Sequence, residues 1–350
     1  MLIQKRRYLF SMDELQSKFA MKYDASSGCL NPLVHIGYGK SGSTSVQSVF
    51  GNPNSGFASC DSRFASCHDG SFIRHTHIVN KLVIHTHDFE FDPEQLRLIA
   101  HEMLGWARPA GLVPVISSER LAGHWMSGGY DSRVIADRIK AVWPEARILL
   151  IFREQKSMLS SIYRQYVKKG GGRTFKQLLM PDGGGHGRGP GFSLRHVKYD
   201  QLVQYYQEIF GADKILALPL ELLRDEANSF FGKIFDFVGA NPKHNFQIPK
   251  PHLKIGIDAY KAGYKRLVNP ILSKDYVNGY SVWCTPYTRI IGGLFMKIVQ
   301  ILATKQKRAS ATLKLEKEIA CAVDGYYGNS NSNLEKLIGI KLDKYEYDLQ

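Results

Sequence analysis

Five short apolar runs recur along the chain, at residues 33–36, 82–86, 113–117, 148–152 and 214–218. Each is near-continuous rather than alternating, the pattern of a strand covered on both faces. Between them, apolar residues repeat at helical spacing and predict helices over 43–50, 93–107, 131–142, 155–168, 196–209 and 222–238. Strands alternating with helices predict an α/β fold: a mostly parallel sheet of about five strands, helices on both faces, and loop and helix insertions. At 350 residues the chain can bury a large core. One domain over 1–350 is expected, its core at about 31–240 and a helical extension at about 250–350. Two stretches break the alternation. Residues 52–70 read as loop, and the glycine-rich 170–191 reads as a surface insertion or substrate lid, with one helical turn at 175–179.

The first predicted strand leads into the most informative segment. Leu33–Ile36 enters a glycine-spaced turn (Gly37, Gly39, Gly42), after which Ser43 and Thr44 open a helix. A strand, loop and helix in this order aim backbone N–H groups and the positive end of a helix dipole at one point, where an anion fits. Lys40 adds a full charge, and Ser41, Ser43, Thr44 and Ser45 add hydroxyls. Gly37-x-Gly39-x-x-Gly42 has the spacing of a dinucleotide fingerprint, but that motif wants an acidic residue ending a second strand about 20 residues on. Asp61 lies in the loop-like stretch and in no plausible strand. The triphosphatase loop needs Gly-x-x-x-x-Gly-Lys-[Ser/Thr]. Here Ser43 stands at the lysine position, Lys40 precedes the second glycine, and the strand Ile148–Phe152 runs into Arg153 rather than into a metal-binding Asp.

The run Gly37–Thr44 resembles instead the Pro-Lys-[Thr/Ser]-Gly-[Thr/Ser]-[Thr/Ser] loop of the sulfotransferases that use 3′-phosphoadenosine 5′-phosphosulfate (PAPS), with Gly39 in place of proline. A second motif of that family is matched by Arg153, which ends a strand, and by Ser161, eight residues later in the next helix. An Arg fork with a hydroxyl suits a phosphate, and in the family this pair grips the 3′-phosphate. Val115–Leu121, Lys214–Glu221, Phe230–Gly239, and Tyr326–Asn331 with Leu342–Tyr347 resemble further segments of bacterial members. The Arg-Lys-Gly segment that closes over the cofactor in cytosolic eukaryotic members has no counterpart. The resemblance implies a P-loop-like sheet and PAPS as sulfuryl donor, with no metal.

It also implies roles. Lys40 would neutralise charge at the breaking S–O bond, the largest kind of catalytic contribution. Ser41, Gly42, Ser43, Thr44 and Ser45 would hold the 5′-phosphosulfate, and Arg153 and Ser161 the adenosine end, so that attack is in line. For the base, strand order favours Glu119, with partial burial raising its pKa toward neutrality. His87 and His85, at the end of Lys81–His87, are the competitors.

The net charge of +14 and a pI near 9.4 favour anionic partners beyond the cofactor, either an acidic glycan or an anionic membrane. A carbohydrate or glycolipid hydroxyl is the expected acceptor. No nucleic-acid recognition pattern accompanies the charge, so no nucleic-acid partner is expected. A kinase-like phosphotransferase and a non-catalytic binder of anionic glycans are the alternatives. Five cysteines, an odd count without a Cys-x-x-Cys pair, suggest reduced thiols and a cytoplasmic setting; no signal peptide or membrane stem is read. Residues 290–303 are too short and too interrupted to span a bilayer. Ile290, Leu294, Ile298 and Ile301 nevertheless share one helical face, with Lys297, Lys305, Lys307 and Arg308 nearby. This pattern serves either internal packing or peripheral contact at the inner membrane surface through 290–308. The oligomeric state is not legible.

Overall fold

The structure, a computed structural model, describes residues 31–59, 78–79, 81–82, 86–179, 191–250, 256–272 and 286–349. Its centre is a five-stranded, all-parallel sheet of β1 (Leu33–Gly37), β2 (Phe57–Ser59), β3 (Val113–Ser118), β4 (Arg147–Phe152) and β5 (Ile215–Pro219), ordered β2-β3-β1-β4-β5. Every residue of β1, and all of β4 after Arg147, is buried, so both faces of the sheet are covered. β1 pairs with β3 on one side (Ile36 opposite Ser118) and with β4 on the other (Gly37 opposite Ile151). From β1 the chain goes to the sheet edge as β2, returns between the two as β3, and then crosses to the other side of β1 for β4 and β5. The carboxyl end of β1 is therefore the switch point where ligands bind in open parallel sheets.

Four of the five predicted strands are present. Of the fifth, expected at 82–86, residues 83–85 lie outside the described residues; Leu82 belongs to a helical stretch in which Ile78, Val79 and Leu82 are buried at helical spacing. The remaining strand is Phe57–Ser59, inside the stretch read as loop. Three residues are too few to show a pattern, and β2 is a strand because it pairs with Val113–Val115 at the sheet edge.

The helices surrounding the sheet are α1 (Ser43–Phe50), α2 (Pro93–Leu104), α3 (Ser132–Val142), α4 (Gln155–Lys168), α5 (Phe175–Leu178), α6 (Tyr199–Phe210), α7 (Leu220–Asp225) and α8 (Ala227–Val238). Local capping sets several starts. Asp92 accepts from the N–H groups of Glu94 and Gln95 ahead of Pro93, and Thr174 and Gln177 form a capping box on α5. The single helix expected over 222–238 is two, broken at Glu226.

The C-terminal part adds α9 (Ala259–Leu272), α10 (Pro286–Ile301), α11 (Lys305–Val323) and α12 (Gly328–Ile338). α9 and α11 pack on α4, and α12 packs on α6. Buried Asn269 of α9 donates to the carbonyls of Val167 and Gly171 at 2.7 and 2.8 Å, which fixes α9 to the end of α4. Among the described residues no helix is long and apolar enough to cross a membrane.

Candidate active site

β1 ends at Gly37, and the loop that follows is tightly built. Tyr38 N–H donates to Ile151 O (3.2 Å), and Ser41 N–H and hydroxyl both donate to Tyr38 O. Two residues of the loop are left-handed, Lys40 (φ 76°) and Gly42 (φ 77°). A Cβ on Gly42 would lie 2.4 Å from Leu220 Cδ1, and one on Gly37 would lie 3.0 Å from His35 Nε2, so backbone and neighbours touch directly here. The N–H groups of Gly39, Lys40, Gly42, Ser43 and Thr44 make no backbone hydrogen bond among the described residues. They open the eight-residue helix α1, so free donors and the helix dipole coincide.

Side chains add to this surplus. Ser43 and Ser45 are buried, yet their hydroxyls have no partner among the described residues, and neither has Nε2 of His35 beneath the loop. Buried polar atoms are almost always paired, so three orphans around one loop mark a place where a partner is to be supplied. His35 is fixed through Nδ1 to Ser117 Oγ at 2.7 Å, and Gln47 Nε2 donates to the same hydroxyl at 3.2 Å. Burial pulls the His35 pKa down to about 3, which keeps the ring neutral.

Charge gathers at the same point. The Lys40 ammonium is half-buried, and that desolvation lowers its pKa; Glu119 opposes the shift, while Lys168, Arg164 and Arg153 add to it. Three further cations, from the turn after β4 and from α4, thus act on Lys40 against Glu119. Arg164 is lowered in its turn, by burial first and then by Arg153, with Glu316 and Asp258 opposing. Neither Lys40 nor the Arg153 guanidinium forms a hydrogen bond or ion pair with a described side chain, whereas Arg97, Arg120 and Arg138 each hold a carboxylate. Ser161, Arg164 and Lys168 lie three and four residues apart and share one face of α4. Of these three only Ser161 is a candidate from the sequence; the i, i+3, i+7 spacing from it is the signal that brings in Arg164 and Lys168.

The turn carrying Arg153 is held from several sides. Tyr199 hydroxyl donates to Arg153 O at 2.7 Å, and Glu154 caps α4 by accepting from Lys156 and Ser157 N–H. The Glu154 N–H donates to Glu221, whose other oxygen accepts from Tyr347 hydroxyl, both at 3.1 Å. Burial raises the Glu221 pKa. The C-terminal segment is thereby part of the frame around Arg153.

Of the three candidate bases, the structure brings Glu119 to the loop. It follows β3 directly, and its Oε2 lies 3.8 Å from where a Gly39 Cβ would stand, with Trp125 Cδ1 at 3.7 Å. Glu119 is exposed, so the burial expected to tune it is absent. His87 is exposed as well, and its ring is stacked on Phe89 at 5.3 Å. His85 lies outside the described residues. So does 180–190, most of the second glycine-rich run of the proposed lid. Among the described residues no group of three or more His, Cys, Asp or Glu has the arrangement of a metal site.

No family model matches the chain, and no curated protein matches it. Solved structures of similar fold include a sulfotransferase from Alicyclobacillus acidocaldarius, with 15% identity and a TM-score of 0.45 over 90% of this chain and 98% of that one. The sulfotransferase domain of the Synechococcus PCC 7002 olefin synthase matches with 14% identity and a TM-score of 0.36, over 76% and 94%. The sulfotransferase domain from the curacin biosynthetic pathway matches with 12% identity and 0.37, over 77% and 98%.

Proposed function

We propose that the chain is a PAPS-dependent sulfotransferase that moves a sulfuryl group to a hydroxyl of a carbohydrate or glycolipid, in a cytoplasmic setting. One observation carries the reading: Arg153, Arg164 and Lys168 all lie within electrostatic reach of Lys40, beside a loop whose N–H and hydroxyl donors are unpaired among the described residues. Like charges repel, so such a cluster fits an acceptor-rich polyanion extended from the loop toward α4. When bound, the donor supplies the sulfuryl group and leaves as adenosine 3′,5′-bisphosphate.

The chain's own residues divide the work. The free N–H groups at Gly42, Ser43 and Thr44, with the hydroxyls of Ser43 and Ser45, grip the 5′ end. Arg153 and Ser161 grip the 3′-phosphate, with Arg164 extending that face. Lys40, its pKa lowered by burial, sits where charge builds up on the leaving oxygen and can give it a proton. Glu119, across Gly39 from Lys40, takes the proton of the attacking hydroxyl. The O–H and donor S–O bonds break as the new S–O bond forms, and the proton goes to the carboxylate. Positive charge comes from side chains, and no metal is assigned a role.

Calorimetric titration with adenosine 3′,5′-bisphosphate in the absence of metal tests this. Micromolar or tighter binding by the wild type is expected, with roughly 30- to 100-fold weaker binding by Arg153→Ala, the loss of a charge-assisted phosphate contact. Absence of binding, together with binding of Mg-ATP, would overturn the proposal in favour of a phosphotransferase.

A further inference from the structure

We infer that the outer face of α10, with the start of α11, is a docking surface for an anionic lipid bilayer. Fifteen large apolar side chains are exposed among the described residues, and six of them fall within 290–302: Ile290, Ile291, Leu294, Ile298, Ile301 and Leu302. Ile301, at 82% exposure, is nearly as bare as in an unfolded chain. The helix already has an inner face for its own fold. Gly292 meets Leu272 of α9, the Phe295 and Tyr264 rings lie 6.4 Å apart, Gln300 accepts from Lys261 at 2.9 Å, and Val299 is buried. The exposed side chains occupy the opposite arc. Packing within the described chain uses one side of α10 and leaves a second apolar side unpartnered.

Charge identifies the occupant. No Asp or Glu occurs from Pro286 to Leu315, a stretch holding Arg289, Lys297, Lys305, Lys307, Arg308 and Lys314. α9 adds Lys261, Lys265 and Arg266 and again no acid. Of these, Arg308 is partly neutralised by Asp258 at 3.7 Å, whereas Lys297 and Lys305 form no ion pair with a described residue. A second copy of the chain docking on this face would set one basic field against another. A nucleic acid would have no use for the isoleucine ridge. An anionic bilayer satisfies both features, since the apolar side chains enter the headgroup–acyl boundary while the lysines reach lipid phosphates. The inference stands apart from the reaction proposed above, although α9 links this surface to α4 and so sets the membrane one helix away from the cationic site.

Vesicle co-sedimentation of the full chain tests it, using phosphatidylglycerol–phosphatidylcholine vesicles against phosphatidylcholine alone. Binding to the anionic vesicles is expected, weakening with salt and absent on the neutral ones. Ile290→Ser with Leu294→Ser and Ile301→Ser should lower it by about tenfold or more, and Lys297→Glu with Lys305→Glu by a similar factor. Unchanged thermal melting shows that these outer-face variants still fold. Equal binding to neutral vesicles, no binding at all, or full binding by the triple serine variant overturns the inference. So does a dimer in sedimentation velocity that the triple serine variant abolishes while the wild type ignores vesicles, which assigns the face to a second copy.

Discussion

The loop after β1 and the outer face of α10 are incomplete in opposite ways. Around the loop, polar groups are inside without partners: the Ser43 and Ser45 hydroxyls, His35 Nε2 and a half-buried Lys40. On α10, apolar groups are outside, without partners among the described residues. A folded chain tolerates either only where something else completes it, because an unpaired buried donor and an exposed apolar ridge both cost free energy. The sign of the deficiency indicates the partner. Missing acceptors call for an anion, and missing apolar cover beside unbalanced positive charge calls for anionic lipid.

The largest expected effect breaks the loop's side of this comparison. Lys40→Ala should slow release of adenosine 3′,5′-bisphosphate from the donor by roughly 10²- to 10³-fold, read by product quantification, while the melting temperature barely moves. Next comes acid. His35 and His196 are buried with pKa values pulled down to about 3 and about 4, below the 6.5 of the unfolded chain. The unfolded state therefore binds more protons in this window. Stability is full above pH 6.5 and falls as pH drops toward 4, by on the order of 2 kcal/mol per histidine at pH 4.5. Urea midpoints at pH 7 and 4.5 would show it, and a flat profile would mean the two rings are not buried neutral.

A smaller effect is expected for Arg164→Gln. Arg164 helps to hold the Lys40 pKa down, so its removal lets that pKa rise. The alkaline limb of the activity profile should shift to higher pH, with affinity for adenosine 3′,5′-bisphosphate down by roughly tenfold. An unmoved limb would detach α4 from the lysine. The smallest effects sharpen the contrast most. Ser45→Ala should leave unfolding free energy unchanged or raise it by up to about 1 kcal/mol, since the buried hydroxyl has no partner to lose, yet weaken anion binding. Leu294→Ser should stay within about 0.5 kcal/mol of wild type in chemical denaturation, because no internal packing is removed. A loss of several kcal/mol in either variant would show a partner on that face.

Much of the loop was legible in residue order because its parts are local. The spacing of Gly37, Lys40, Gly42 and Ser43, and of Arg153 and Ser161, is set by one turn and one helix. Glu119 required strand order as well, since it reaches Gly39 only because β3 pairs with β1. Arg164 and Lys168 were hidden among ordinary surface-type residues, and His35 among the residues of an apolar strand. A short apolar run such as that at Leu82 suits either a strand or one turn of buried helix, and β2 exists only through its pairing with β3.

By itself the sequence determined the alternation of strands and helices, the glycine-spaced turn between β1 and α1 and the amphipathic pattern at 290–301, since hydrophobic period and glycine spacing act over a few residues. Tertiary structure decided which strand fills the sheet edge, which carboxylate faces the loop, which cations converge on Lys40, and which side of α10 is left bare. Those outcomes depend on contacts between residues distant in the chain. They are fixed by how the elements share buried surface, to which local pattern is blind.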